Sequence, residues 1–278
     1  MDRIGNTALK LTNRGTPSAA AASTSREETL AQRIRRGLKA GEFGVAFQPV
    51  VHAQTFRLLN VECLLRWQHP EYGLLLPECF VSAFDDTQTS REVTEFMLES
   101  VCRQLGEMRR AGETLPATTI NIQPSQLLDD TLTAAIRDTT RRHDVDPSLL
   151  ELELVATEDA STLLSTQEFT RTLRQLGVRI ALNDFGSGYS PLAMLGVAQI
   201  DTVKLARGFM THVPVSARDC VVMTGLLDLL DKLDMRVVVE GVESEAQLRW
   251  LRQRPGVYVQ GYHVARPQTT LADALTMN

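Results

Sequence analysis

Val61-Glu62-Cys63-Leu64-Leu65-Arg66-Trp67-Gln68-His69-Pro70 places one carboxylate and one arginine four residues apart in an otherwise apolar, strand-like run. An acid at the end of a buried strand must be paired, neutralised or bound to a metal, because a bare buried charge costs several kcal/mol or more. The preceding apolar run, Val45–Val51, ends about six residues before the run starting at Leu58. Six residues cannot hold a crossover helix, so these two strands are expected to be antiparallel.

Beyond the pair, short β-type runs alternate with helical-period segments. The strand candidates are Val45–Val51, Leu58–Leu64, Ala117–Ile122, Leu149–Val155, Val178–Asn183, Gln199–Leu205, Met235–Glu240 and Val257–Gln260. One amphipathic helix carries Val93, Met97, Val101, Leu105 and Met108; another carries Val221, Leu226, Leu227, Leu230 and Leu233. Eight strands alternating with helices predict a closed α/β barrel, modified by one antiparallel strand. Leu30, Ile34 and Leu38 fall at helical spacing before Gly41, so ordered structure is expected from about Arg26. Residues 1–25 include the Ala/Ser/Thr-rich stretch from Ser18 to Ser25 and read as a disordered tail or linker.

Composition narrows the function. The 29 Lys and Arg against 34 Asp and Glu leave a net charge of −5. That balance argues against a DNA, RNA or anionic-membrane surface. It leaves room for a phosphorylated ligand, because bound cations can dominate the local field. The four cysteines, Cys63, Cys79, Cys102 and Cys220, lack CxxC spacing and are expected to be buried reduced thiols. With no apolar run of about 20 residues and no signal-peptide core, the cytoplasm is the expected compartment.

In an α/β barrel, chemistry collects at the C-terminal strand ends. Those ends carry Glu62, Asn121, Glu153, Asn183 with Asp184, Lys204, Glu240 and Gln260. One such residue alone is more often a satisfied core polar group. Convergence from separate strands instead predicts an oxygen-rich cluster suited to Mg²⁺ or Mn²⁺ rather than zinc. The segment Asn183-Asp184-Phe185-Gly186-Ser187-Gly188-Tyr189-Ser190 would let the backbone approach a phosphate or metal closely.

Read in order, these motifs resemble the EAL domain family of bacterial cyclic-di-GMP phosphodiesterases. Gln48-Pro49-Val50 stands for its QPI/V motif and Glu62-Cys63-Leu64-Leu65-Arg66-Trp67 for EALLRW, with His69-Pro70, Gly73 and Pro77 following. Asn121-Ile122, Glu153, Asn183-Asp184-Phe185-Gly186 for DDFG, and Lys204 come next. Glu240-Gly241-Val242-Glu243 and Gln260-Gly261-Tyr262 close the series. The resemblance covers roughly residues 30–275 and implies a (βα)₈ barrel with one antiparallel strand, an EAL domain spanning 26–278, and cyclic di-GMP as ligand.

It further implies that Glu62, Asn121 and Glu153 hold one Mg²⁺ or Mn²⁺. Asp184 and Glu240 would serve a second, bridged by position 183. Lys204 would position the attacking water, Gln48 and Arg66 would meet the ligand, and Gln260 would shape the water site. Two such ions about 3.5–4 Å apart suit hydrolysis of a phosphodiester, here to pGpG. The resemblance also implies a homodimer through the face near the loop after Asp184.

Three departures bear on activity. Asn183 replaces the first aspartate of DDFG; an amide oxygen carries no charge and bridges two cations poorly, so the second metal is expected to weaken. Glu153-Leu154-Val155-Ala156 replaces ExTE, leaving the glycine-bearing loop without its acidic tether unless Glu158 reaches it. Lys204-Leu205-Ala206 replaces KID. The expectation is a domain that binds cyclic di-GMP with weak or lost hydrolysis; an active phosphodiesterase and a protein-interaction domain are the alternatives. His69 and Trp67 are expected to be structural, and His263 receives no role.

Overall fold

A computed structural model describes residues 28–128, 130–155, 167–188, 192–196 and 199–276. The expected tail, 1–25, and Ala156 and Glu158 lie outside the described residues.

Strands β1 (Phe43–His52) and β2 (Leu58–His69) form an antiparallel hairpin in which Gln48 faces Glu62. The ring then runs in parallel through β4 (Thr118–Ile122), β5 (Leu150–Val155), β6 (Arg179–Phe185), β7 (Thr202–Leu205), β8 (Arg236–Val239) and β9 (Val257–Val259). An antiparallel β9–β1 pairing closes it, so β1 alone runs against both neighbours. The expected modified barrel is present. The short β3 (Gly73–Leu75) was not expected; it folds back on the end of β2 outside the ring. Gly73, at φ 69, supplies the left-handed turn that brings it round.

The helices follow their sequence signals. Helix Leu30–Lys39 starts in a capping box between Thr29 and Gln32 and stops before Gly41 at φ 74. Helix Thr87–Arg110 is capped by the Asp86 carboxylate, which accepts from Thr89 N at 2.8 Å. Its predicted stripe from Val93 to Met108 is buried. Helix Ala217–Lys232 corrects the expectation. Its buried stripe is Met223, Leu227 and Leu230, at spacings of four and three, while Val221 is 72% exposed and Leu233, its C-cap, is exposed too.

Side-chain alternation divides each strand. Cys63, Leu65, Ile120, Leu152, Leu154, Leu182, Val203, Leu205, Val237 and Val239 belong to the apolar core cluster. The intervening residues turn into the barrel, and on β2, β4, β5 and β7 they are mostly polar. Barrels of this kind usually fill that space with branched aliphatics. A polar interior must be largely hydrogen-bonded to be tolerated, and here Asn60 Oδ1 on β2 and Gln260 Oε1 just past β9 are buried exceptions.

Among the cysteines, Cys63 and Cys102 are buried as expected. Cys79 is exposed and Cys220 half-buried, because Cys79 sits in the short turn Pro77–Cys79 and Cys220 in the first turn of its helix. Trp67 is packing, as expected: it stacks on Phe43, and its indole N–H donates to Glu42 at 2.9 Å. His69 is structural too; its Nδ1 accepts from Glu71 N and Tyr72 N. No helix among the described residues is long and apolar enough to cross a membrane.

Candidate functional site

At the C-terminal end of the ring, β2, β5 and β7 bring Glu62, Glu153 and Lys204 into contact, all buried. Lys204 Nζ donates to Glu62 Oε2 at 2.7 Å and to both oxygens of Glu153 at 2.9 and 3.0 Å. It also reaches Glu240 Oε1, just past β8, at 2.8 Å. One oxygen from each of the three glutamates lies within 4.8 Å of the others. Gln260 Nε2 donates to Glu62 Oε2 at 2.8 Å, and Asn121 Nδ2 donates to Glu62 Oε1 at 3.1 Å.

The protonation tendencies follow from this packing. Burial works to raise the Glu62 carboxyl, but the Lys204 charge and three donated hydrogen bonds outweigh it and hold the group below its ordinary value. Burial, reinforced by the Glu62 charge, pushes Glu153 well above the carboxylate range. Burial likewise raises Glu240. Burial disfavours the Lys204 ammonium, but three carboxylates more than compensate and hold its proton. Three carboxylates around one ammonium leave an excess of negative charge in a water-poor place. That excess and the hard oxygen donors fit a divalent cation. Glu62, Glu153 and Glu240 could hold it, with Lys204 moving aside and the Asn121 amide turning its oxygen inward.

Above the cluster opens a cavity of about 580 Å³ lined by Gln48, Glu62, Arg66, Asn121, Asp184 and Glu240, among others. Glu153 and Lys204 are not on its wall, so the latter, expected to position a water, is screened from the cavity behind the carboxylates. Arg66 is half-buried on the cavity wall; desolvation lowers its pKa, and its guanidinium donates to Leu65 O at 2.8 Å. Gln48 is tied to Ala265 O at 3.0 Å and accepts weakly from Gln260 at 3.4 Å. Gln260, expected to shape the water site, donates to Glu62 and lines the same cavity.

Asn183 and Asp184 end β6 and line the same cavity. At position 183, which the resemblance assigns to a bridge between two cations, the Asn183 Oδ1 accepts from Asp184 N at 2.8 Å. Asp184 is left-handed at φ 51, and Ser187 Oγ donates to its carbonyl at 2.8 Å. Gly186 follows at φ 90, and a side chain there would run into the Phe209 ring. His263 is outside this set and pairs with Glu245 at 3.1 Å.

Some cavity residues went unforeseen. Arg207 sits at the rim, its Cβ against Gly241, and Tyr262 lines the mouth with the Arg266 guanidinium 4.6 Å from its ring centroid. A second polar layer also lies one step down the strands. Glu151 accepts from Asn60 Nδ2 at 2.6 Å, Thr119 Oγ1 at 3.2 Å and Thr202 Oγ1 at 2.7 Å. Counting back two residues from Glu62, Asn121, Glu153 and Lys204 would have found all four.

A polar core and an acidic cluster at the C-terminal mouth define a barrel with a candidate metal centre. The chain belongs to the EAL domain family, whose model matches residues 31–267. The cyclic di-GMP phosphodiesterase NbdA of Pseudomonas aeruginosa is 31% identical over 87% of this chain. The probable cyclic di-GMP phosphodiesterase PdeN of Escherichia coli is 31% identical over 85% of it. This chain spans only 31% of the first relative and 45% of the second. Among solved structures, the PaMucR phosphodiesterase in complex with c-di-GMP is 30% identical, with a TM-score of 0.78 over 88% of this chain and 98% of that one.

Proposed function

We propose that this EAL domain binds cyclic di-GMP in the cavity at the barrel mouth and that its hydrolysis to pGpG is weak or lost. The observation that carries the reading is Asn183: the position the resemblance assigns to a bridging carboxylate is a neutral amide whose oxygen is bonded to Asp184 N. Binding is supported by the similarity to PaMucR, whose structure contains c-di-GMP, and by Arg66 and Arg207 on the cavity wall. Both are guanidinium groups suited to a phosphodiester.

A Mg²⁺ or Mn²⁺ ion held by Glu62, Glu153 and Glu240 would supply an activated water and stabilise charge on the phosphate oxygens. Before the ion enters, Lys204 keeps the three carboxylates together and holds its proton among them. Gln260 orients Glu62 by donating to its Oε2, and the Asn121 amide, which donates to Oε1 without the ion, would turn its oxygen toward it. Arg66 orients the ligand from the rim. The intact cluster is the one observation favouring the alternative, an active phosphodiesterase. A homodimer and a protein partner that reads ligand occupancy belong to the same proposal.

The test incubates the protein with cyclic di-GMP and excess Mn²⁺, follows pGpG, and measures affinity with Ca²⁺ or without metal. Micromolar binding with little or no product is expected. Efficient turnover would overturn the reading in favour of the enzyme, and absence of binding would overturn it altogether.

A further inference from the structure

Asn183 ends the inner face of β6, where Ala181 stands two residues before it and pairs with Glu153 across to β5. Its carboxamide has one oxygen, and that oxygen accepts from Asp184 N. The assignment of the amide is fixed by chemistry: reversed, its NH₂ would oppose the Asp184 N–H, replacing a hydrogen bond with a donor facing a donor. Asp184 holds a left-handed backbone without being glycine, a conformation that persists only where its surroundings support it. The bond from Asn183 is part of that support.

The polar edge left over is Nδ2, which donates to no group among the described residues. An aspartate here would keep one oxygen for the turn and offer the other to a cation; the amide has no second oxygen to offer. An N–H aimed at a cation is repelled, whereas a phosphate oxygen accepts it readily. Asn183 lines the cavity together with Arg66 and Arg207, and with Glu62, Asp184 and Glu240.

We infer that Asn183 is a phosphate-binding donor that takes the place of a second metal ion, so that the domain binds its phosphodiester with at most one divalent cation. The inference rests on the reading that cyclic di-GMP occupies this cavity, and its test separates the two. Mn²⁺ stoichiometry is counted by electron paramagnetic resonance without nucleotide, for the wild type and Asn183→Asp. Cyclic di-GMP affinity is measured by calorimetry in EDTA for both, and for Asn183→Ala, with circular dichroism confirming the fold.

One Mn²⁺ is expected in the wild type and two in Asn183→Asp. In EDTA, Asn183→Asp should lose at least tenfold in affinity, because a carboxylate replaces a donor beside the phosphate, and Asn183→Ala should weaken in the same direction. Two ions in the wild type, or undiminished EDTA affinity in Asn183→Asp, would overturn the inference. A wild type that ignores cyclic di-GMP both in EDTA and in Mn²⁺ would overturn the proposed function and the phosphate role of Asn183 with it, while the ion count would still decide whether Asn183 excludes a second cation.

Discussion

Two polar layers lie two residues apart on the same strands, and they solve burial in opposite ways. The lower one surrounds a single carboxylate, Glu151, with neutral donors from Asn60, Thr119 and Thr202. The upper one gathers three carboxylates around a single ammonium, Lys204. A carboxylate accepting three hydrogen bonds is complete, and such a network can rigidify a core. Three carboxylates on one cation leave charge to be matched by something else. The lower layer therefore suits a closed barrel interior, and the upper one the cation of the proposed function.

The sharpest way to break this contrast is Lys204→Met. It leaves Glu62 and Glu153 buried and Glu240 half-buried without a counter-charge, and breaking a buried pair costs about 3–5 kcal/mol. Urea denaturation in EDTA should show that loss, and Mn²⁺ should restore more stability to the variant than to the wild type. The deficit should shrink as pH falls below neutrality. Glu153 and Glu240 already have folded pKa values above their ordinary ones, and losing the cation raises them further. Groups shifted this way favour the fold at low pH and lose that contribution as pH rises through their folded pKa. Equal stability of the two proteins in EDTA would show that charge does not hold this layer together.

Much of this was readable in the sequence, and the unread part has physical causes. The hairpin followed from the short gap before Leu58, and the upper layer followed from polar residues at strand ends. The lower layer escaped because Thr119 and Thr202 look like ordinary strand formers until the period-two face through Asn121 and Lys204 is followed backward. The amide orientations of Asn121 and Asn183 could not be read at all, since they depend on which donors the fold brings alongside. Cys79 was misplaced for a related reason: its apolar neighbours Leu76 and Val81 are themselves exposed, at 41% and 46%.

Glu151→Leu attacks the other layer. It removes the acceptor shared by three donors. Asn60 Nδ2 keeps Thr119 Oγ1 at 2.9 Å, while the Thr119 and Thr202 hydroxyls can turn to other acceptors in part, and an unsatisfied buried group costs about 1–3 kcal/mol. A loss of about 2 kcal/mol in urea denaturation is expected, with Mn²⁺ affinity unchanged. A fall in Mn²⁺ affinity comparable to that caused by Glu62→Gln would erase the division of labour between the layers.

The finest cut compares two residues of one strand. Thr202 and Lys204 share the inner face of β7, so Thr202→Val sits directly beneath Lys204→Met. Valine keeps the shape and removes only the hydroxyl that donates to Glu151 Oε1. Asn60 and Thr119 still serve the other oxygen, so one hydrogen bond to a carboxylate is lost, worth about 1.5 kcal/mol at the low end for a charged acceptor. Cyclic di-GMP affinity and Mn²⁺ binding should stay within twofold of the wild type. The contrast with Lys204→Met then measures what a charge contributes over a hydroxyl at neighbouring positions in one barrel. A Thr202→Val penalty as large as that of Lys204→Met would mean that Glu151 depends on the same charge balance as the upper layer, and that the two are a single network.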